Sequence, residues 1–251
     1  MSSDPLAPLL ELPGVADAVA RTRTAVDALL GNRTLRRRST DVSAESALRG
    51  AWASAWLSGA AFPLDVVRSG EAATDPTVQG ALRAQAAIGS LADTWTHAPR
   101  QALARLHALA AADLIADEAE LGRPSSVPGV AERLDTLAGV LTATSAPAVV
   151  VAAIVHGELL SLDAFAPASG LVARVAVRLT LVERGLDPKS LVVVEAGHRE
   201  LEADYLAALD AYRTGTPTGI AQWIGHCADA VVTGARESTA ICEALARTPS
   251  G

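Results

Sequence analysis

Apolar residues recur at three- and four-residue spacings along most of this chain, and Pro or Gly interrupts the pattern about every 15 to 25 residues. That rhythm describes successive amphipathic helices joined by short connections, and it leaves little room for a sheet. The apolar half of the 251 residues is also poor material for strands. Aromatics are only 3%, with two Phe and two Tyr, while alanine makes up about a fifth of the chain, well above ordinary usage. Alanine is the strongest helix former and lets helix axes approach closely, and the β-branched residues that sheets draw on are confined to a few valine runs. The expected fold class is all-α.

The periodicity predicts helices over residues 15–30, from Ser43 as N-cap to Gly59, and over about 76–94, 99–116, 128–141, 147–161, 169–184, 195–213 and 218–245. Proline at or near four of these starts fits its tolerance in a first helical turn. Two segments break the pattern. DEAELGRPSSVP, from Asp117 to Pro128, has the composition of a loop or short hairpin. SLDAFAPASG, from Ser161 to Gly170, lies between two strongly apolar helices and ends in Ser-Gly at a helix start.

Several function classes are excluded before any motif is considered. A chain that is 50% hydrophobic and 20% charged is not disordered, and two cysteines do not make a disulfide scaffold. A net charge of −7 argues against nucleic-acid binding, which needs basic surface to neutralise phosphates. The run Arg36, Arg37, Arg38 reads as a solvated helix end. The N-terminus has no basic stretch followed by an apolar one, so no signal peptide is expected, and the longest uncharged apolar run, 147–155, is about half of a membrane span. Cys227 and Cys242 form no CxxC pair, which is the expectation for a cytoplasmic protein. The histidines, His97, His107, His156, His198 and His226, show no metal-ligand spacing, so no metal is expected. His156 reads as a core histidine or as one that shapes the 161–170 loop; Trp52 and Trp56, one turn apart, read as core. Glu158 and Asp163 are a candidate carboxylate pair. No GxSxG, Walker or Rossmann pattern is present.

A helix N-terminus carries unpaired N–H groups and a partial positive charge, so the Ser169-Gly170 start is a competent anion site. The wider string, His156 to Pro188, resembles the central segment of the Fic (Fido) family, whose active loop reads H-P-F-x-D/N-G-N-G-R-x-x-R between two helices. In that register Asp163 stands at the catalytic histidine, Ala164 at the proline, and Phe165 matches the phenylalanine. Pro167 stands at the metal-binding acid or amide, Ala168 at the first glycine, Ser169 at the asparagine and Leu171 at the first arginine. Gly170 and Arg174 match the second glycine and second arginine. His156 matches a histidine often found seven residues upstream, and Gly185 to Pro188 matches the end of the following helix. Ser54-Ala55-Trp56-Leu57-Ser58-Gly59 is similar to the family's inhibitory helix, S-x-x-x-E-G, with Ser58 at the glutamate. Leu121 to Pro124 falls where the family carries its β-hairpin flap, and Tyr205 and Tyr212 lie in segments resembling its closing helices.

The resemblance covers residues 40 to 245 and implies an N-terminal helical extension, 1–40, before a Fic-like helical domain, 41–251, with a short hairpin flap. It implies ATP with Mg²⁺ as ligand and transfer of AMP to a protein hydroxyl. The departures argue against that chemistry. Asp163 is a feeble proton acceptor at the base position, Pro167 offers no metal ligand, and Leu171 removes a phosphate cation. Each lost catalytic group typically costs about 10²-fold or more. The reading is a binding or regulatory pseudoenzyme with ATP/Mg binding weakened. Ser169, Gly170 and Arg174 are its remaining phosphate contacts, His156 and Phe165 its loop-supporting residues, and Ser54, Ser58 and Gly59 its inhibitory-helix positions. The alternative is an active transferase of AMP or another phosphate-containing group with Asp163 as base. A protein target or partner at the cleft is implied, and a homodimer is left open.

Overall fold

The computed structural model describes residues 4–247. Its elements in chain order are α1 (Ala7–Leu10), α2 (Val15–Leu30), α3 (Leu35–Trp56), α4 (Leu64–Ser69), α5 (Pro76–Ala86), α6 (Ile88–His97), α7 (Pro99–Ala111), a 3-10 turn at Glu118–Glu120, α8 (Val130–Ala143), α9 (Ala148–Leu162), α10 (Ser169–Glu183), α11 (Val194–Glu200), α12 (Glu202–Arg213) and α13 (Pro217–Arg247). The described residues include no strand, in agreement with the all-α expectation.

The hairpin of α9 and α10 forms the centre. From Leu171 to Leu181 every residue of α10 is buried, and α9 is apolar on all sides, as a helix enclosed by others must be. One core cluster joins the inner faces of α9 and α10 to α5, α6, α7 and α8, with Trp95, Leu106, Leu134 and Phe165 among its members. A second joins their other faces to α2, α11, α12 and α13 around Trp223, Tyr205 and Ile224. With so few aromatics, close backbone approach does the packing that bulky side chains do elsewhere. Gly197 on α11 lies directly against the Ala230 carbonyl of α13, and Gly80 on α5 against the Ala110 carbonyl of α7; a methyl group at either position would overlap that carbonyl.

Four expectations need correction. Ser43 is not an N-cap: α3 starts at Leu35, because Leu35 and Val42 both find cover in the second core, and it passes Ser43 with a kink at Arg38 (φ −124°). The 76–94 segment divides into α5 and α6 at Ala87, a bend that keeps both halves against α7 and α10. The 195–213 segment divides at Leu201 into α11 and α12. Residues 117–128 contain a 3-10 turn and irregular chain in place of the short β-hairpin. Asp117 accepts from the Ala119 N–H (2.9 Å) and so favours a local turn over strand pairing.

No helix among the described residues is long and apolar enough to cross a membrane.

Candidate functional site

Helix α9 ends where Asp163 turns into the left-handed region (φ 45°), a conformation that aspartate tolerates better than most residues. The chain then doubles back so that Ala164, Phe165 and Ala168 enter the core, while Asp163, Ala166 and Pro167 stay exposed. Phe165 anchors the loop: it is 3% exposed and packs against the His107 ring of α7 at 5.3 Å between centroids. His107 in turn accepts at Nδ1 from the Gly122 N–H (3.2 Å), and the Ser125 N–H donates to the Ala164 carbonyl (2.8 Å). The 117–128 segment is thereby fastened to the loop at two points. Burial lowers the pKa of His107.

Ser169 closes the loop onto itself, its Oγ accepting from the Phe165 N–H at 2.9 Å. It does not cap α10, whose N-cap is Ala168 with no side-chain hydrogen bond. The first turn of α10 therefore starts without a protein cap. Over it lies Arg174. Helical side chains lean toward the N-terminus, and the Arg174 guanidinium reaches back until its Nη2 and Nη1 sit 3.0 and 3.1 Å from where a Cβ on Gly170 would be. Glycine at 170 is what admits it. The guanidinium is 3% exposed and held by the end of α3 and the turn after it: Nε donates to Ser54 Oγ (2.8 Å), and Nη2 to the Ser54 carbonyl (2.8 Å) and Ser58 Oγ (2.6 Å). The structure thus brings Ser54, Ser58, Gly170 and Arg174 together. Gly59, with φ 93°, ends the α3 turn that presents Ser58.

The carboxylate of Asp163 has no hydrogen-bond or ion-pair partner among the described residues, and it forms no pair with Glu158, whose oxygens accept from Arg133 (2.6 and 2.7 Å) and from the Tyr212 hydroxyl (2.7 Å). Burial and the neighbouring Glu158 charge push the Tyr212 phenol far above its ordinary value. His156 lies in α9 at 0% exposure, and its Nε2 meets the Tyr205 hydroxyl of α12 at 2.9 Å. It shapes the packing of α9 on α12 and makes no hydrogen bond to the loop. Burial, with help from Arg174, holds its pKa well below 6.5.

Sequence reasoning missed two features beside the site. Arg199 of α11 stacks over Trp52 at 4.2 Å and Trp56 at 5.3 Å, which pins the end of α3 that carries Ser54 and Ser58. A buried hub one turn beyond Arg174 joins Arg178 to Glu195 of α11, Gln85 of α5, and Ser46 and Ser190. The regular spacing of Arg174 and Arg178 along an otherwise apolar buried helix was the available signal.

The residues fit a Mg²⁺–nucleotide poorly. Pro167 supplies no ligand, Leu171 is buried in the core at 1% exposure, and Arg174, the arginine that the resemblance assigns to phosphate, already serves α3. No group of three or more His, Cys, Asp or Glu among the described residues is arranged to hold a metal ion.

No protein-family model matches the chain, and no curated protein sequence matches it. Solved structures do. A Fic family protein from Desulfovibrio desulfuricans G20 superposes with a TM-score of 0.73 at 19% identity, over 91% of this chain and 75% of that one. A fragment of Fic-1 from C. elegans superposes with a TM-score of 0.67 at 17% identity, over 90% of this chain and 73% of that one. A variant of the same fragment gives 0.67 at 18% identity, over 91% and 73%.

Proposed function

Because the chain has the Fic fold, we propose that it is a Fic-type protein that has lost efficient nucleotidyl transfer and acts as a binding or regulatory protein through the cleft beside the α9–α10 loop. The observation that carries this reading is the seat of Arg174. A guanidinium that a phosphate would need lies buried across Gly170 with its donors on Ser54 and Ser58. Removing it from that seat strands buried polar groups on α3, a cost that phosphate binding would have to exceed. At the end of α9 stands an exposed carboxylate, Asp163, where the resemblance puts an imidazole. The partner in this reading is a polypeptide that meets the exposed side of the loop, Asp163, Ala166 and Pro167. The two free, buried cysteines support a cytoplasmic setting.

Incubation of the full chain with labelled ATP and Mg²⁺ tests it. The expected result is no label on the protein or on added cell extract. Incorporation that disappears in Asp163→Ala would overturn it.

A second reading rests on Asp163 itself, unpartnered, exposed and held in a left-handed conformation at the mouth of the loop. In that reading its carboxylate takes the proton of a target hydroxyl as that oxygen bonds to the phosphorus of a phosphate-containing donor, and the phosphorus–oxygen bond to the rest of the donor breaks, so that part leaves with the electron pair. Thermal stabilisation by one member of a panel of phosphate compounds, lost in Arg174→Gln, would favour it.

A further inference from the structure

Three histidines converge in the core from three helices: His156 from α9, His198 from α11 and His226 from α13, with Tyr205 of α12 and Trp223 of α13 laid among them. Ring centroids are 4.8 Å apart for His156 and His198 and 5.2 Å for His198 and His226. His198 Nδ1 and His226 Nε2 are 3.0 Å apart, and exposure is 0%, 1% and 7% for His156, His198 and His226. A hydrogen bond between two ring nitrogens holds one proton, so that bond exists only while at least one of the two rings presents a lone pair.

The charges around the cluster are not symmetric. His156 and His198 face the Arg174 guanidinium of α10 and each other, and no carboxylate offsets it. His226 faces Asp204 of α12 and Asp229 of α13, the latter paired with Arg21 of α2 at 2.9 Å. Tyr205 and Cys227, the remaining titratable neighbours, are buried and neutral, since burial raises the pKa of both. His226 also lines an open groove of about 1170 Å³ between α2, α12 and α13. A proton therefore has a carboxylate-flanked ring at the groove wall at which to enter, and a second one meets a buried cation.

We propose that the cluster is a proton-operated latch. Its neutral rings join α9, α11, α12 and α13; on acidification His226 takes the first proton and can still donate to His198, and a second proton, on His198, leaves neither facing nitrogen a lone pair, breaks the bond and loosens α11 and α12 from α13. The latch stands on the cluster alone and does not depend on whether the cleft retains any transfer activity.

Hydrogen–deuterium exchange of the full chain between about pH 7.5 and about pH 5, with exchange times scaled to the intrinsic rate, tests it. Peptides spanning residues 194–213 should lose protection reversibly by about tenfold or more while peptides from residues 76–111 keep theirs. His226→Gln should remove that selective loss. Uniform loss along the chain, or an unchanged pH response in His226→Gln, would refute the latch. If His226→Gln does not fold, Asp204→Asn decides: a midpoint moved to lower pH supports the latch, and an unmoved one refutes it.

Discussion

At the scale of single residues, the site turns on what surrounds one guanidinium. Arg174→Leu removes three hydrogen bonds and leaves Ser54 Oγ and its carbonyl without their donor, so a loss of about 3 kcal/mol is expected in urea denaturation. Gly170→Ala acts on the same seat from the other side, because its methyl group would stand 3.0 Å from the guanidinium nitrogen. Arg174 must then shift away from α10, with an expected cost of about 1 to 2 kcal/mol and a changed Trp56 environment by fluorescence. These residues were legible in the sequence as positions of a known pattern. What was not legible was their partnership, since Ser54 and Arg174 are 120 positions apart and Ser58, a serine at the glutamate position, carries no charge signal.

At the scale of elements, the fold depends on helices seated by small residues and by one buried hub. Gly197→Ala places a methyl group on the Ala230 carbonyl and should separate α11 from α13, costing about 2 to 3 kcal/mol, readable as a lowered denaturation midpoint. The hub makes a sharper prediction. Glu195→Leu leaves the Arg178 charge buried at 2% exposure with only neutral hydrogen-bond partners, and a loss of about 3 to 5 kcal/mol is expected; Glu195→Gln, which keeps a partner for Gln85, should cost less. Helix existence was legible because periodicity and proline placement are local. Helix ends were less so. The start of α3 at Leu35 and the break at Leu201 follow from which apolar residues find cover in the two cores, and cover is decided by segments far along the chain.

At the scale of the whole molecule, pH enters through the buried imidazoles. Burial lowers the pKa of His156, His198 and His226 in the folded state, so below 6.5 the unfolded chain binds more protons than the folded one. The stability contributed by these neutral rings is complete above pH 6.5 and declines as pH falls below it, by about 1.4 kcal/mol per pH unit for each additional proton taken up on unfolding. Urea denaturation between about pH 7.5 and about pH 5 should show that decline, and a flat profile would contradict the burial of the cluster.

Sequence alone determined the helical class, through alanine content and period, and the Fic-like frame, through the register of Phe165, Gly170 and Arg174 between two apolar helices. Those are properties of spacing, and spacing survives the replacement of nearly every polar residue in the loop. Only the tertiary structure decided that Arg174 rests on Ser54 and Ser58, that Ser169 serves the loop instead of the helix end, and that three scattered histidines share one core. Hydrogen bonds and buried charge are satisfied by whichever groups the packing brings within about 3 Å, and in a chain of helices closed by α13 those groups come from opposite ends of the sequence.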